Sequence, residues 1–256
     1  MLLRYIIAQS MLLLFSKTNM KILRNKKVNV DDENYQKARF HYLLQILFGE
    51  SLAINYSKTI AGFAPTEESQ DFLLRQQREE ETHLDLLSDY VAGIDRPAVK
   101  ISKHMKELHS IMEKALESKD YPASILVQNF IVEGLVIVLI EEMSKHGDEK
   151  LKELCRTINK DEVFHVAFGV SELKKELLKD SKLNKKLSNI QRLALFRAVL
   201  FFTDLAMEAR YMGIAWDDLA RKVVEDHLTR IKDAGLKIPF YDKLLLRAAI
   251  WFFVIV

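Results

Sequence analysis

Two acid-histidine pairs in this sequence have the spacing of metal ligands. Glu80 and His83 lie in REEETH, and Glu162 and His165 lie in DEVFH, with two residues between the acid and the histidine in each pair. In a helix, residues three apart share one face, so each pair can reach a common ion. Charged surface helices also produce such a pair by chance, so one pair alone is a weak signal.

Two isolated glutamates strengthen that signal. Glu50 is the only Asp, Glu, Lys or Arg within residues 40–56, and Glu133 is the only one within residues 121–140. Burial of an ionised carboxylate without a partner is costly, so such a residue is neutralised, paired or bound to a cation. Because two such acids occur in apolar helices, we expect one common means of compensating both charges.

The isolated acids and the pairs occur twice in the same order. Glu80 follows Glu50 by 30 residues, and Glu162 follows Glu133 by 29. Two helical hairpins would therefore each present a glutamate from the first helix and an acid-histidine pair from the second. This is the ligand pattern of a di-iron or di-manganese carboxylate bundle. The predicted metal ligands, which would also be the catalytic residues, are Glu50, Glu80, His83, Glu133, Glu162 and His165.

Other residues of similar chemistry are predicted to lie outside the site. Glu79 is one position off the register of the first pair, so its removal is expected to leave metal content unchanged. The single cysteine, Cys155, is expected to be a small buried residue. Surface or ordinary core positions are expected for His41, His104, His109, His146 and His227.

Long helices must position the ligands, because only 8 Gly and 4 Pro punctuate 256 residues. A first helix is predicted from about Asp32 to Ala61, and a second from its N-cap Thr66 towards Gly93. Further helices are predicted near 103–119, 122–146, 148–179, 186–211, 215–234 and 239–252. The fold class is therefore all-α, a di-metal carboxylate helical bundle with additional C-terminal helices.

Two segments could be read as membrane or targeting signals. The helix that begins at Pro122 is long enough to span a bilayer, but Gln128 and Asn129 favour a buried central helix. Residues 1–31 are predicted to be an N-terminal extension that is mobile or amphipathic. The alternative is that the protein truly starts at Met20. A signal peptide or anchor is less favoured there, because no small-residue cleavage site follows the apolar run. Residues 32–256 would form one helical domain.

Composition excludes several classes of protein. The 38 basic and 36 acidic side chains are interspersed, so the concentrated basic face of a nucleic-acid binder is absent and no nucleic-acid partner is expected. One cysteine excludes an internal disulfide and a cysteine-cluster metal site. These features predict a cytoplasmic protein, and we expect a monomer whose contact with membranes, where it occurs, is peripheral.

Five segments carry a resemblance to a known family. They are GES at Glu50, REEETH at Glu80, LVQNFIVEG before Glu133, KDEVFH at Glu162, and a C-terminal segment that begins TDLAMEARYMG. From about residue 34 to 250 the chain resembles the cyanobacterial-type aldehyde-deformylating oxygenases, or fatty aldehyde decarbonylases. These belong to the ferritin-like superfamily, and the C-terminal segment favours this branch over ferritins.

The resemblance implies a ferritin-like fold with two Fe ions, manganese being the alternative metal. It implies that a long-chain aldehyde and O2 give an alkane one carbon shorter plus formate, with electrons from an external donor such as ferredoxin and its reductase. In that arrangement Glu80 and Glu162 bridge the ions. Gln128 and Asp161 match positions that support the ligands in the family, and Tyr56 lies beside the position of a family tyrosine.

Alternative functions stay open at the level of sequence. The chain departs from the residues usual in the family at Ser57, Thr82, Val91 and Ile140. A ferritin-like di-iron oxygenase or hydroxylase with another apolar substrate is therefore an alternative, as is an iron-handling protein. A tRNA-modifying hydroxylase is a further class, but it should show a basic docking surface, and iron storage needs a cage.

Overall fold

The computed structural model describes residues 32–94, 98–239 and 243, which form a bundle of helices. The α-helices are, in chain order, α1 (Glu33–Ala61), α2 (Glu67–Ala92), α3 (Lys103–Glu117), α4 (Tyr121–Ile125), α5 (Glu133–His146), α6 (Glu149–Lys179), α7 (Leu183–Asp204), α8 (Ala206–Tyr211) and α9 (Trp216–Ala234). A π-helical segment, Leu126–Val132, joins α4 to α5. These ranges contain no β-strand, so the prediction of an all-α fold is confirmed.

Two long hairpins form the centre of the bundle. Helices α1 and α2 pack along each other, and α5 packs along α6 in the same way. The hairpin helices begin at caps whose side chains accept a backbone N–H of the first turn, namely Asp32 for α1, Thr66 for α2 and Asp148 for α6. Such caps satisfy backbone donors that the helix itself leaves unpaired. The predicted starts at Asp32 and Thr66 are therefore confirmed to within one residue.

The other helices pack around these hairpins. Helix α3 packs on α7, α8 packs on α1, and α9 packs on α5 and α6. The prediction of one helix over 186–211 is wrong, because the chain leaves helical geometry at Leu205, with φ −99° and ψ 1°. Beyond this break, on α8, Oε1 of Glu208 lies 2.8 Å from Nδ1 of His41 on α1. Such a contact joins residues far apart in sequence, so local helix propensity carries no sign of it.

Two predicted segments lie outside the described residues. These are the N-terminal extension over 1–31 and nearly all of the last predicted helix, 239–252.

The central apolar helix lies inside the bundle. Among the described residues, Tyr121–His146 is the one stretch long and apolar enough to cross a membrane by length and composition, and 89% of its apolar window is buried. Phe130 and Val138 are fully enclosed. The prediction of a buried central helix rather than a membrane span is therefore confirmed.

Within this central helix the π-helical segment is a feature that the sequence did not predict. The backbone N–H of Glu133 donates to the carbonyl of Gln128, five residues earlier, instead of four. Such wide turns are rare and are frequent at functional sites. The wide turn places Gln128 directly one turn before Glu133, where its side-chain amide reaches the carboxylate.

His227 of α9 is a core residue and not a ligand of the predicted cluster. It is 1% exposed, packs edge-on against Phe130 with ring centroids 5.5 Å apart, and accepts a hydrogen bond from Nε2 of Gln191 at 3.2 Å. Burial, and secondarily the charge of Arg230, lowers the pKa of His227 to about 3. The folded protein therefore keeps this ring neutral.

Acid should consequently destabilise the fold through His227. The unfolded chain takes up a proton on this ring as the pH falls through about 6.5, while the folded ring stays neutral to about pH 3. Stability is therefore lost below the unfolded pKa, by about 1.4 kcal/mol per pH unit from this group. Thermal unfolding between pH 7 and pH 5 should show a smaller loss for His227→Phe than for the wild type. Equal losses in the two proteins would contradict this assignment.

Candidate metal centre

The six predicted ligands come together between the two hairpins. Helix α1 supplies one glutamate, α2 and α6 each supply an acid-histidine pair, and the first residue of α5 supplies the fourth glutamate. All six side chains lie in the interior, between 0% and 3% exposed. The sequence pattern therefore identified residues that the fold places at one point.

The cluster consists of two overlapping groups of four residues. One group is Glu50, Glu80, His83 and Glu162, and the other is Glu80, Glu133, Glu162 and His165. In each group the ligand atoms all lie within 4.8 Å of one another. Because Glu80 and Glu162 belong to both groups, they stand where carboxylates could bridge two ions. Each group offers three carboxylates and one imidazole, a donor set suited to iron or manganese.

Both histidines direct the same ring nitrogen into the cluster. Nδ1 of His83 lies 3.3 Å from Oε2 of Glu80 and 3.3 Å from Oε1 of Glu162. Nδ1 of His165 lies 3.3 Å from Oε1 of Glu80 and from Oε2 of Glu162. The outer nitrogen, Nε2, is left free in each ring to bond to residues outside the cluster.

Burial and mutual repulsion govern the charges of the metal-free cluster. Burial raises the pKa of Glu50, and the charge of Glu80 raises it further; burial and the charge of Glu162 do the same to Glu133. Burial would also raise the pKa of Glu162, but the charge of His165 and the polar contacts with both imidazoles together outweigh burial and lower it. Without a cation, therefore, protons neutralise part of the cluster, and metal binding would displace them.

An unpartnered buried oxygen shows that the cluster fits metal ions. Oε1 of Glu162 is buried and forms no hydrogen bond, although His83 Nδ1 is 3.3 Å away. Leaving a buried acceptor unsatisfied is costly, and a metal ion would supply its missing partner. Two cations would also compensate four carboxylates that otherwise repel one another. The cluster therefore fits a di-metal site.

Amide side chains donate hydrogen bonds to the carboxylate of Glu133, the first residue of α5. Gln128 donates to Oε1 of Glu133, as does Gln76 at 3.2 Å, and Gln76 also donates to Oε1 of Glu80 at 3.1 Å. The side-chain amide of Asn129 donates to Oε1 of Gln76 at 2.7 Å and so fixes the orientation of the Gln76 amide. Gln128 was expected here from the family resemblance, whereas Gln76 was not predicted. Its signal was weak, since its only distinction is the position four residues before Glu80 in a polar helix.

Two further carboxylates contact the outer nitrogens of the histidines. Oδ2 of Asp161 lies 3.3 Å from Nε2 of His83, which places Asp161 beside the cluster as the resemblance implied. Oε2 of Glu79 lies 2.9 Å from Nε2 of His165. The expectation that Glu79 lies apart from the site is therefore wrong. Its position before Glu80, equivalent to that of Asp161 before Glu162, was the available signal.

Tyr56 lies at a different place from these two acids. Its hydroxyl forms a close hydrogen bond with Nδ1 of His109 on α3, and the two rings stack with centroids 5.7 Å apart. The described contacts of Tyr56 thus connect α1 to α3 and not to the carboxylates. Cys155 is buried, and burial raises its pKa to about 12; the prediction of a small buried residue is therefore confirmed.

Comparisons with known proteins identify relatives by sequence and by fold. A family model described as long-chain fatty aldehyde decarbonylase matches residues 32–252. A solved Synechococcus protein with aldehyde deformylating oxidase activity is 16% identical, with a TM-score of 0.74 over 87% of this chain and 99% of that chain. A putative class I ribonucleotide reductase from Bacillus halodurans is 17% identical, with a TM-score of 0.67 over 87% of this chain and 93% of that one. No curated protein matches.

The structural likenesses establish the fold. At these identities they show a shared ferritin-like helical bundle, and the predicted fold class is confirmed. The match of the family model is a separate, sequence-based result, and it covers all of the described residues.

Proposed function

Because the chain belongs to the long-chain fatty aldehyde decarbonylase family and is thus an enzyme, we propose that it is an O2-dependent di-iron oxygenase. Its substrate would be a long-chain fatty aldehyde, and its products an alkane one carbon shorter and formate. The observation that supports this most directly is the buried cluster of four carboxylates and two imidazoles inside an apolar bundle. Manganese is the alternative metal.

In this proposal six side chains would hold two ions: Glu80 and Glu162 would be shared by both ions, Glu50 and His83 would serve one ion, and Glu133 and His165 would serve the other. A carboxylate-rich site of this kind suits oxygen activation by bound iron. The chain itself fixes the geometry, since Gln76 and Gln128 donate hydrogen bonds to the ligand carboxylates.

The atoms and electrons of the proposed reaction balance with an external donor. The bond between the aldehyde carbon and its neighbour breaks, and the aldehyde carbon leaves as formate with its own hydrogen. The remaining alkyl group gains a hydrogen and becomes the alkane. O2 supplies one oxygen to formate and one to water, which consumes four electrons and three protons. An electron donor such as ferredoxin with its reductase would supply the electrons. We propose that the reaction takes place in the cytoplasm.

The surroundings of the cluster suit an aliphatic chain. Leu43, Phe130 and Ile140 are buried on the ligand-bearing helices, while Leu47 and Ile137 are only partly buried. A substrate that loses apolar surface to such residues gains about 0.8 kcal/mol per buried CH2 group before the cost of binding. Affinity should therefore rise with chain length until the available apolar surface is covered.

Product analysis tests the proposal. Iron-loaded protein is incubated with a sixteen- or eighteen-carbon aldehyde, O2 and a reducing system, with the aldehyde carbon labelled. The expected products are the alkane shortened by one carbon and labelled formate, and protein loaded with manganese serves to compare the metals. Labelled fatty acid or a hydroxylated product without alkane would contradict the deformylating reaction, and would leave the metal centre standing.

A further inference from the structure

Glu79 makes a contact with the metal centre that the proposed ligand set does not include. Its Oε2 lies 2.9 Å from Nε2 of His165, which belongs to the opposite hairpin. His165 is 0% exposed, whereas the Glu79 side chain is 29% exposed. The Glu79 carboxylate therefore lies between solvent and the outer side of the His165 ring. The inner nitrogen of that ring, Nδ1, faces the cluster.

Neighbouring side chains hold the Glu79 carboxylate in place. Nε of Arg75, one turn earlier on α2, lies 3.5 Å from Oε1 of Glu79. The guanidinium of Arg75 lies over the ring of Phe72, 4.7 Å from its centroid. Phe72 in turn stacks on Phe168 at 3.9 Å and meets the edge of His165 at 6.4 Å. Both oxygens of Glu79 thus have charged or polar partners, and the histidine is packed on a second side.

The same arrangement occurs on the other histidine with the helices exchanged. Glu79 precedes a cluster acid on α2 and reaches His165 of α6, while Asp161 precedes a cluster acid on α6 and reaches His83 of α2 at 3.3 Å. The two contacts show that α2 and α6 run antiparallel here. Each helix therefore supplies the carboxylate that orients the histidine of the other.

We infer that Glu79 is a positioning residue: its carboxylate accepts a hydrogen bond from Nε2–H of His165, fixes the tautomer that leaves Nδ1 unprotonated toward the ions, and so helps to retain one of the two metals. Histidine ligands commonly donate the outer N–H to a carboxylate, and loss of that partner typically lowers metal affinity about 10–100-fold. The inference rests on the di-metal part of the proposed function and is independent of the aldehyde reaction.

The test measures metal release and does not depend on turnover. Protein loaded anaerobically with Fe(II) is mixed with a coloured Fe(II) chelator, and the release of the two ions is followed. Glu79→Ala should speed the release of one ion about 10–100-fold and leave the other unchanged. Glu79→Gln keeps an acceptor oxygen and should restore part of the retention. Asp161→Ala should speed the release of the other ion, and the double variant should speed both.

A matched control lies two residues away. Glu81 belongs to the same charged run but is exposed and accepts a hydrogen bond from Gln77 at 2.9 Å, so Glu81→Ala should release iron like the wild type. The melting temperature of metal-free Glu79→Ala should match that of the metal-free wild type.

Three results would overturn the inference. They are wild-type release from Glu79→Ala, equal acceleration in Glu81→Ala, and a lower melting temperature of the metal-free protein without faster release. Protein that binds no iron would refute the inference and the proposed function together. Faster release in Glu79→Ala from a protein that makes no alkane would refute the reaction alone.

Discussion

Glu162→Ala is expected to remove both metal ions and to abolish activity. Glu162 belongs to both groups of four ligand-bearing residues, and its side chain is fully buried. Its truncation would deprive each ion of a carboxylate and leave the remaining buried acids without their shared cations. Metal analysis of protein from iron-supplemented medium should therefore give close to zero ions per chain, against two for the wild type.

Two further variants make this expectation specific. Glu50 belongs to one group only, so Glu50→Ala should lose one ion and retain part of the second. Glu153→Ala is the control on the same helix, because Glu153 is an exposed partner of Arg156 at 2.8 Å. Two ions retained in Glu162→Ala, or equal losses in Glu153→Ala, would mean that the cluster is not the metal site.

The ligand set could be predicted from sequence because each ligand breaks a local pattern. Glu50 and Glu133 are charged residues in apolar helices, and burial of such acids requires compensation wherever the helices pack. The acid-histidine pairs share a helical face by spacing alone. Neither argument needs knowledge of which helices are neighbours.

The contact of Glu79 could not be predicted in this way, because its partner is 86 residues away in sequence. In REEETH it is one of three consecutive acids, and its position before Glu80, like that of Asp161 before Glu162, gains meaning only from the antiparallel packing of α2 on α6. The π-helical segment was not predicted from sequence for a related reason. Its residues are equally compatible with an α-helix, and the contact that this segment makes with another helix, from Asn129 to the side chain of Gln76 on α2, joins residues 53 positions apart in sequence.

Gly169→Ala is expected to destabilise the protein, although alanine favours helices over glycine by about 1 kcal/mol. A Cβ at Gly169 of α6 would lie 2.7 Å from Cβ and 3.0 Å from the backbone carbon of Asn129. Asn129 lies in the buried π-helical segment, so its backbone cannot move without shifting the central helix. Overpacking of this kind costs about 1–3 kcal/mol, which exceeds the gain in helix propensity over most of that range.

Gly49→Ala is the matched control, because Gly49 also lies within a long helix and a Cβ there meets nothing within 4 Å. Its melting temperature should rise or stay unchanged, whereas that of Gly169→Ala should fall. The same displacement should affect the metal centre unequally. Gly169 is one turn from His165, and Asn129 is one turn from Glu133, so moving α6 from the π-helical segment separates two ligands of one group. Gly169→Ala should therefore lose that ion first, and equal stabilisation of the two variants would exclude the close contact between α6 and Asn129.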